Sequence, residues 1–348
     1  MAIACDVRAL DTQVEEAYRR LLPGQRELIE RGKLQWKFDR HPAARGVLAV
    51  AHAASSIVGM IGFVPACLKL GCERVAGFQA LDTVVDPGCR GQGVFVKLGQ
   101  AFYSAAPELE AAAVFGFPNE SAAPGWFGKL GWIRLGTPPF LIKPLRAGYF
   151  VRQVLGGARG LFDTLPLSVG GEPEGKDRAV RIRRFDARAD TLWHAFSTNI
   201  ACAVERTHDY LNWRLVDHPT AQYDTRGVFA ADGEMRAFVT THVAAKHDGV
   251  IGYVMEAMAL PEAADDLVML LRLAIAEMRA AGVDAILAWA SPNAPNHRAY
   301  RRCRFLPLPD RIRPIHLYFG VRPFTAQARA RMATDRDWYL SYLDSDTV

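Results

Sequence analysis

Two stretches of the chain carry the same helical stripe, each directly after a run of apolar and β-branched residues. Beyond residues 79–85, Val94, Leu98, Ala101 or Phe102, and Ala105 recur at the three- and four-residue spacing of one helix face. Beyond residues 254–260, Leu267, Leu270, Leu271, Ala274 and Met278 do the same. An apolar run follows each helix, at 111–117 and 285–290, and predicts a buried strand; a short helix and a final strand come next. Ahead of each helix the pattern is a meander of strands. Antiparallel strands followed by a strand–helix–strand crossover predict the α/β class, of α+β type: a mixed, largely antiparallel sheet flanked by helices.

The shared order reflects a repeat. Residues 34–42 read LQWKFDRHP and residues 211–219 read LNWRLVDHP, about 177 positions apart. Gly46-Val47 returns as Gly227-Val228, Gly77-Phe78 as Gly252-Tyr253, Pro87 as Pro261, and Pro118-Asn119 as Pro292-Asn293. The openings DVRALD (6–11) and RIRRFD (181–186) correspond as well. An ordered series at nearly one offset identifies a duplicated domain.

The repeat resolves an ambiguity in the hydropathy. Residues 46–68, GVLAVAHAASSIVGMIGFVPACL, carry no formal charge and are long enough for a bilayer span of ~20 residues. Their counterpart at 227–247 holds Asp232, Glu234 and Arg236 around an Ala-Asp-Gly turn. Both segments are therefore expected to be hairpins, with no membrane span.

With 348 residues, half of them apolar, the chain suits two domains of roughly 100–200 residues each. The expected organisation is an N-terminal domain at 1–155, a linker at 156–178 containing GGARG and VGGEPEGK, a C-terminal domain at 179–325, and a tail at 326–348. Net charge is +5, with 34 Arg against 8 Lys and no dense basic run. This is compatible with an anionic small molecule and does not argue for nucleic acid, so no nucleic-acid partner is expected. Six cysteines lack C-x-x-C or zinc spacing, and no secretory leader is evident, so free thiols in the cytoplasm are expected.

The chemistry concentrates in Leu81-Asp-Thr-Val-Val-Asp-Pro-Gly-Cys-Arg-Gly-Gln-Gly93, where a strand runs through a glycine-bearing loop into the first amphipathic helix. Unpaired amides at a helix N-terminus, with the helix dipole behind them, suit a phosphate. Glycine permits close approach and positive φ, and Arg90 can add a charge-assisted contact. The spacing matches neither the G-x-x-x-x-G-K-[ST] phosphate loop nor a dinucleotide fingerprint.

Val85-Asp-Pro-Gly-Cys-Arg-Gly-Gln-Gly-Val, with Leu98, resembles the acyl-CoA signature of the GNAT (general N-acetyltransferase) superfamily. Phe117-Pro-Asn-Glu-Ser and Phe127-Gly-Lys-Leu-Gly-Trp132 resemble the family's downstream elements, and Asn293, Tyr300 and Arg301–Phe305 resemble them in the second copy. The resemblance implies tandem GNAT domains and an N-acyltransferase using acetyl-CoA or another acyl-CoA on a small-molecule or peptide amine. It implies that the backbone of Val84 and Val85 holds the pantetheine arm and that Arg90, Gly91, Gln92 and Gly93 hold the pyrophosphate. Asn119 is a further cofactor contact or simply a turn residue. Backbone amides aimed at the developing oxyanion are the expected catalytic device.

Several positions depart from the family pattern. Gly88 stands where Gln or Arg is usual, Phe95 adds bulk just inside the helix, and Phe127 occupies the position of the family's acidic tyrosine. Asp82, whose counterpart is Glu256, and Glu120 are the candidate bases. The second copy replaces the loop with Pro261-Glu-Ala-Ala-Asp-Asp-Leu267, whose carboxylates oppose a pyrophosphate, so it is expected to shape the acceptor site instead. The Trp36…His41 and Trp213…His218 elements, present in both copies, are expected to serve packing, and Glu205–Tyr210 is a candidate acceptor wall. The alternative function is a non-catalytic acyl-CoA-binding or partner-docking protein. An aminoacyl-tRNA-dependent transferase is disfavoured by the modest charge.

Overall fold

The computed structural model describes residues 3–149, 167, 173–310, 313 and 315–347. Each copy opens with a strand and a helix capped by the repeated aspartate. In the first, β1 (Ile3–Arg8) leads to α1 (Thr12–Leu21), where Asp11 Oδ1 accepts from the Val14 amide at 2.8 Å. The helix α2 (Arg26–Glu30) follows. The hairpin expected at 46–68 is present as β2 (Val47–Ala53) and β3 (Ser56–Leu70), turning at Ala54 with φ +55°. β4 (Glu73–Val85), α3 (Val94–Ala105), β5 (Ala113–Gly116), β6 (Ile133–Gly136) and β7 (Phe140–Pro144) complete the first copy.

The second copy comprises β8 (Val180–Arg181), α4 (Ala187–Phe196), β9 (Cys202–Val204) and α5 (His208–Leu211). It continues with β10 (Asp224–Phe229), β11 (Met235–Lys246), β12 (Gly249–Ala259) and α6 (Ala264–Ala280). β13 (Ala285–Trp289), α7 (His297–Arg302), β14 (Leu306–Pro307), β15 (Phe319–Pro323) and α8 (Ala326–Arg331) close it. Asp186 caps α4 as Asp11 caps α1, accepting from the Arg188 amide at 3.1 Å. No helix among the described residues is long and apolar enough to cross a membrane.

Two mixed sheets result, and they exchange strands. The first runs β1-β2-β3-β4-β5-β15-β6, with β9 also on β3; the second runs β14-β7-β13-β12-β11-β10-β8. β15, from the C-terminal half, lies antiparallel to β5 and β6. β7, from the N-terminal half, lies antiparallel to β13. The expected boundaries at 155 and 179 thus mark the sequence repeat but not the sheets, each of which takes a strand from across that division. Hydrophobic patterning cannot reveal this, because a buried strand of either copy presents the same apolar faces to either sheet. The linker at 156–178 lies largely outside the described residues.

The cores form where the patterning indicates. Val94, Leu98 and Phe102 of α3 are buried on the first sheet, with Phe102 stacked on Phe63 at 3.6 Å between centroids. All five residues of the α6 stripe are buried on the second sheet. The tail is part of the core: residues 338–345 are buried between the two copies.

Candidate functional site

β4 and β5 run parallel only as far as Gln79 opposite Phe115, and beyond that the ladder stops. Residues 80–85 continue pairing with β3 on their other edge, through a bulge that places Gly62 opposite Leu81 and Met60 opposite Val84. The extra residue on β4 includes Asp82 at φ +49°. Beyond Gln79 that edge of β4 has no strand partner among the described residues, although Val84 and Val85 do not line the gap that opens there. That gap is a cavity of about 230 Å³ lined by Gln79–Thr83, Gly116–Asn119 and Trp126, among others.

At its end the Asp86–Gly93 loop turns into α3. Asp86 Oδ1 accepts from the Gly88 amide at 2.9 Å, and Arg90 Nε donates to the Val85 carbonyl at 3.3 Å. Gln92 Nε2 donates to the Gly88 carbonyl at 3.3 Å. Gly91 and Gly93 have φ of +77° and +74°, and a Cβ at either position would meet nothing within 4 Å. No side chain caps α3, so its first amides are open. Free amides, positive-φ glycines and open space fit a pyrophosphate. The bulk of Phe95 is directed elsewhere, edge-on to Trp126 at 5.0 Å.

Asp82 is not a free base. It is 5% exposed, accepts from Lys37 Nζ at 2.6 Å and from the Tyr18 hydroxyl at 3.3 Å. Burial alone would raise its carboxyl, but Lys37, with Lys33 and Tyr18, outweighs burial and holds it below the usual carboxylate range. Its counterpart Glu256 is also structural. It takes Arg206 Nε at 2.9 Å and Ser341 Oγ at 2.9 Å, and it accepts the Tyr339 hydroxyl. Glu120 is exposed and does not line the cavity. Asn119 does line it, but its Oδ1 is used locally, accepting from Ser121 Oγ at 2.8 Å and the Ala122 amide at 3.0 Å. Phe127 lies edge-on to Tyr318 at 6.2 Å, and Tyr300 is buried in the second core, with its hydroxyl pushed far up by burial.

The residue missed by sequence reasoning is Asp346. It lines the first cavity and also a second, of about 320 Å³, between the copies. The second cavity is walled by the repeated aromatic elements, which cross over in near two-fold fashion. Trp36 stacks on Trp213 with centroids 4.5 Å apart; Trp36 Nε1 donates to the Trp213 carbonyl at 2.8 Å, and Trp213 Nε1 to that of Trp36 at 2.9 Å. His41 meets Trp213 edge-on and His218 meets Trp36 likewise, at 4.2 and 4.3 Å. His41 Nδ1 accepts from the Ala43 amide, and His218 Nδ1 from those of Thr220 and Ala221. Burial pulls both rings down to about 3, with Arg214 adding to the effect at His218. Neutral rings locked by backbone donors agree with a packing role.

Asp346 reaches this position because the tail is anchored. Arg206, fully buried, joins Glu256 to Asp344 Oδ2 at 2.7 Å, and Arg214 donates to the carbonyls of Leu343 and Ser345 at 3.3 and 2.8 Å. Of the candidate acceptor wall at 205–210, only Tyr210 lines the inter-copy cavity. Glu205 instead accepts from Trp193 Nε1 at 2.6 Å, and His208 pairs with Asp190. The second copy retains a cleft of about 600 Å³ beside Leu260, Pro261 and Asn296, but its helix opens with Glu262, Asp265 and Asp266.

Against solved structures, the chain is similar to Saccharomyces cerevisiae N-myristoyltransferase with bound myristoyl-CoA, at TM-score 0.62 and 13% identity over 94% of this chain and 80% of that one. It is similar to a protein of unknown function from Enterococcus faecalis described as a probable N-acyltransferase, at 0.58 and 10%, over 93% and 72%. A GCN5-related N-acetyltransferase from Anabaena variabilis gives 0.58 and 12%, over 96% and 75%. No family model and no curated protein sequence matches the chain. At these identities the likeness is one of fold alone: the two mixed sheets flanked by helices are shared with these N-myristoyltransferase and N-acetyltransferase structures.

Proposed function

We propose that this chain, a tandem of GNAT-fold copies, is an acyl-CoA-dependent N-acyltransferase whose first copy holds the donor and whose acceptor amine enters between the copies. One observation carries the reading: the β4/β5 cavity and the inter-copy cavity share Gln79, Leu81 and Asp346 as wall residues. Two substrates entering from opposite sides would meet there.

Bound acyl-CoA would supply an activated thioester. The amides from Gly91 into α3, with Arg90 and the Gln92 backbone, would hold its pyrophosphate. The free edge of β4 at Val84 and Val85 would pair with its arm as an added strand does. Among the described residues Asp346 is the carboxylate common to both cavities, and it is the group we assign to take the proton from the incoming ammonium, in place of Asp82 and Glu120. Asn119 shapes the cleft wall through its turn. Acetyl-CoA is the first donor to assay, and the free cysteines, including exposed Cys72, suit a reducing compartment such as the cytoplasm.

The test is release of free CoA thiol by purified protein, with acetyl- and longer acyl-CoAs and an amine panel. Amine-dependent release that falls at least a hundredfold in Asp346→Asn, with CoA affinity unchanged, is expected. The competing reading, binding without turnover, draws on Phe127, which offers no hydroxyl for the departing thiolate; CoA binding with no amine-dependent release would favour it.

A further inference from the structure

The charges around the inter-copy cavity are unbalanced. Among the described residues, Lys33, Lys37, Arg214 and Lys246 line it against the single side-chain carboxylate of Asp346. Three of these cations are engaged. Lys37 pairs with Asp82 at 2.6 Å; Arg214 holds the tail carbonyls and donates to the Tyr223 hydroxyl at 2.7 Å; Lys246 donates to the Thr347 carbonyl. Lys33 differs: among the described residues no carboxylate oxygen lies within 4.0 Å of its ammonium, and no hydrogen bond engages it. It is half-buried, and burial together with Lys37 pulls it down to about 8, although Asp82 and Asp346 act in the opposite sense.

An ammonium taken partly out of water without a counter-ion is costly, and a ligand bringing an anion would remove that cost. The other walls are aromatic or neutral: the Trp36–Trp213 pair, Tyr210, and the two histidines. We infer that the acceptor is a bifunctional molecule, an amine whose other end is anionic, and that Lys33 binds the anionic end while the amine faces Asp346 at the donor cleft. The inference rests on the acyl-transfer reading above. A carboxylate and a phosphate share the required chemistry, and a cavity of about 320 Å³ accommodates an amino-acid-sized molecule or the end of a short peptide.

The experiment compares matched amines with and without the acid: phenylalanine against 2-phenylethylamine, and O-phosphoethanolamine against ethanolamine. CoA thiol release is measured for wild type, Lys33→Met and Lys33→Arg, whose melting curves should coincide. In wild type one acidic member should show a KM at least tenfold below its neutral partner, and which pair does so distinguishes carboxylate from phosphate. Lys33→Met should raise that KM at least tenfold without changing kcat or the neutral amine's KM, and Lys33→Arg should largely restore it. Equal use of acidic and neutral members, or an unchanged KM in Lys33→Met, overturns the inference. If CoA binds but no amine releases thiol, the acyl-transfer reading has failed. Quenching of tryptophan fluorescence by the same pairs then decides the anion site alone: acid-selective binding lost in Lys33→Met supports it, and unselective binding refutes it.

Discussion

Arg206→Met should detach the C-terminal tail and take activity with it. Arg206 is fully buried and neutralises two carboxylates, Glu256 and Asp344, that are 0% and 1% exposed. Met has comparable bulk, so little volume is lost; what remains are two buried carboxylates sharing donors from Ser341 and Tyr339. Breaking a buried pair by removing one partner costs about 3–5 kcal/mol, a large share of a total that is typically ~5–15 kcal/mol. The chain can relieve this by releasing residues 338–347, which carries Asp346 away from both cavities. Denaturant unfolding would read the lost stability, and hydrogen exchange of the 338–347 amides the release. A loss of about 3–5 kcal/mol, exposed tail amides and a collapse of CoA thiol release are expected. A loss under ~1 kcal/mol with tail amides still protected would refute the reasoning. The triple variant Arg206→Met, Glu256→Met, Asp344→Leu should recover most of the stability, because no charge is then left unpaired.

Acidification should weaken the interface between the copies. His41 and His218 sit at about 3 in the fold against 6.5 unfolded, so the unfolded chain binds the extra protons. Their contribution is complete above pH 6.5 and is lost as pH falls towards 3, by about 1.4 kcal/mol per unit for each ring. Urea melts at pH 6.5 and 5 should show this, and His41→Asn with His218→Asn should flatten the difference. Trp36→Ala and Trp213→Ala should each cost about 3–5 kcal/mol. Because they share one stack and reciprocal hydrogen bonds, the double variant should cost less than the sum, by about 0.5–3 kcal/mol in a double-mutant cycle. Additive losses would contradict the interlock. Gly91→Glu combines a strained φ of +77° with a carboxylate in the loop proposed to hold the pyrophosphate; calorimetry should show CoA affinity falling at least tenfold with little change in melting temperature.

Much of this was readable because duplication writes the same signal twice. The charged twin of the apolar hairpin and the helical stripes of α3 and α6 are local, and the repeat and local periodicity report them directly. The turn of residues 86–93 into α3 was equally legible, since glycines ahead of an amphipathic helix mark such a turn. What escaped was long-range. β7 and β15 exchange sheets without altering any pattern in their own residues. Asp82 looked like a base beside the cofactor strand, yet Lys37, 45 positions away, holds it in an ion pair. Asp346 lies in a polar tail whose place is set by Arg206, Glu256 and Arg214, and nothing local to that tail announces it. The Trp and His elements were expected to serve packing and they do pack on one another, but their meeting across the copies, where they also wall a cavity, is a tertiary fact.

The most direct test of the account is a crystal structure with CoA bound. Difference density should show the pyrophosphate on the amides from Gly91 into α3 and the pantetheine arm along the free edge of β4, its thiol end beside Leu81 and Asp346. Density in the cleft of the second copy beside Leu260 and Asn296, with the first copy empty at saturating ligand, would contradict it.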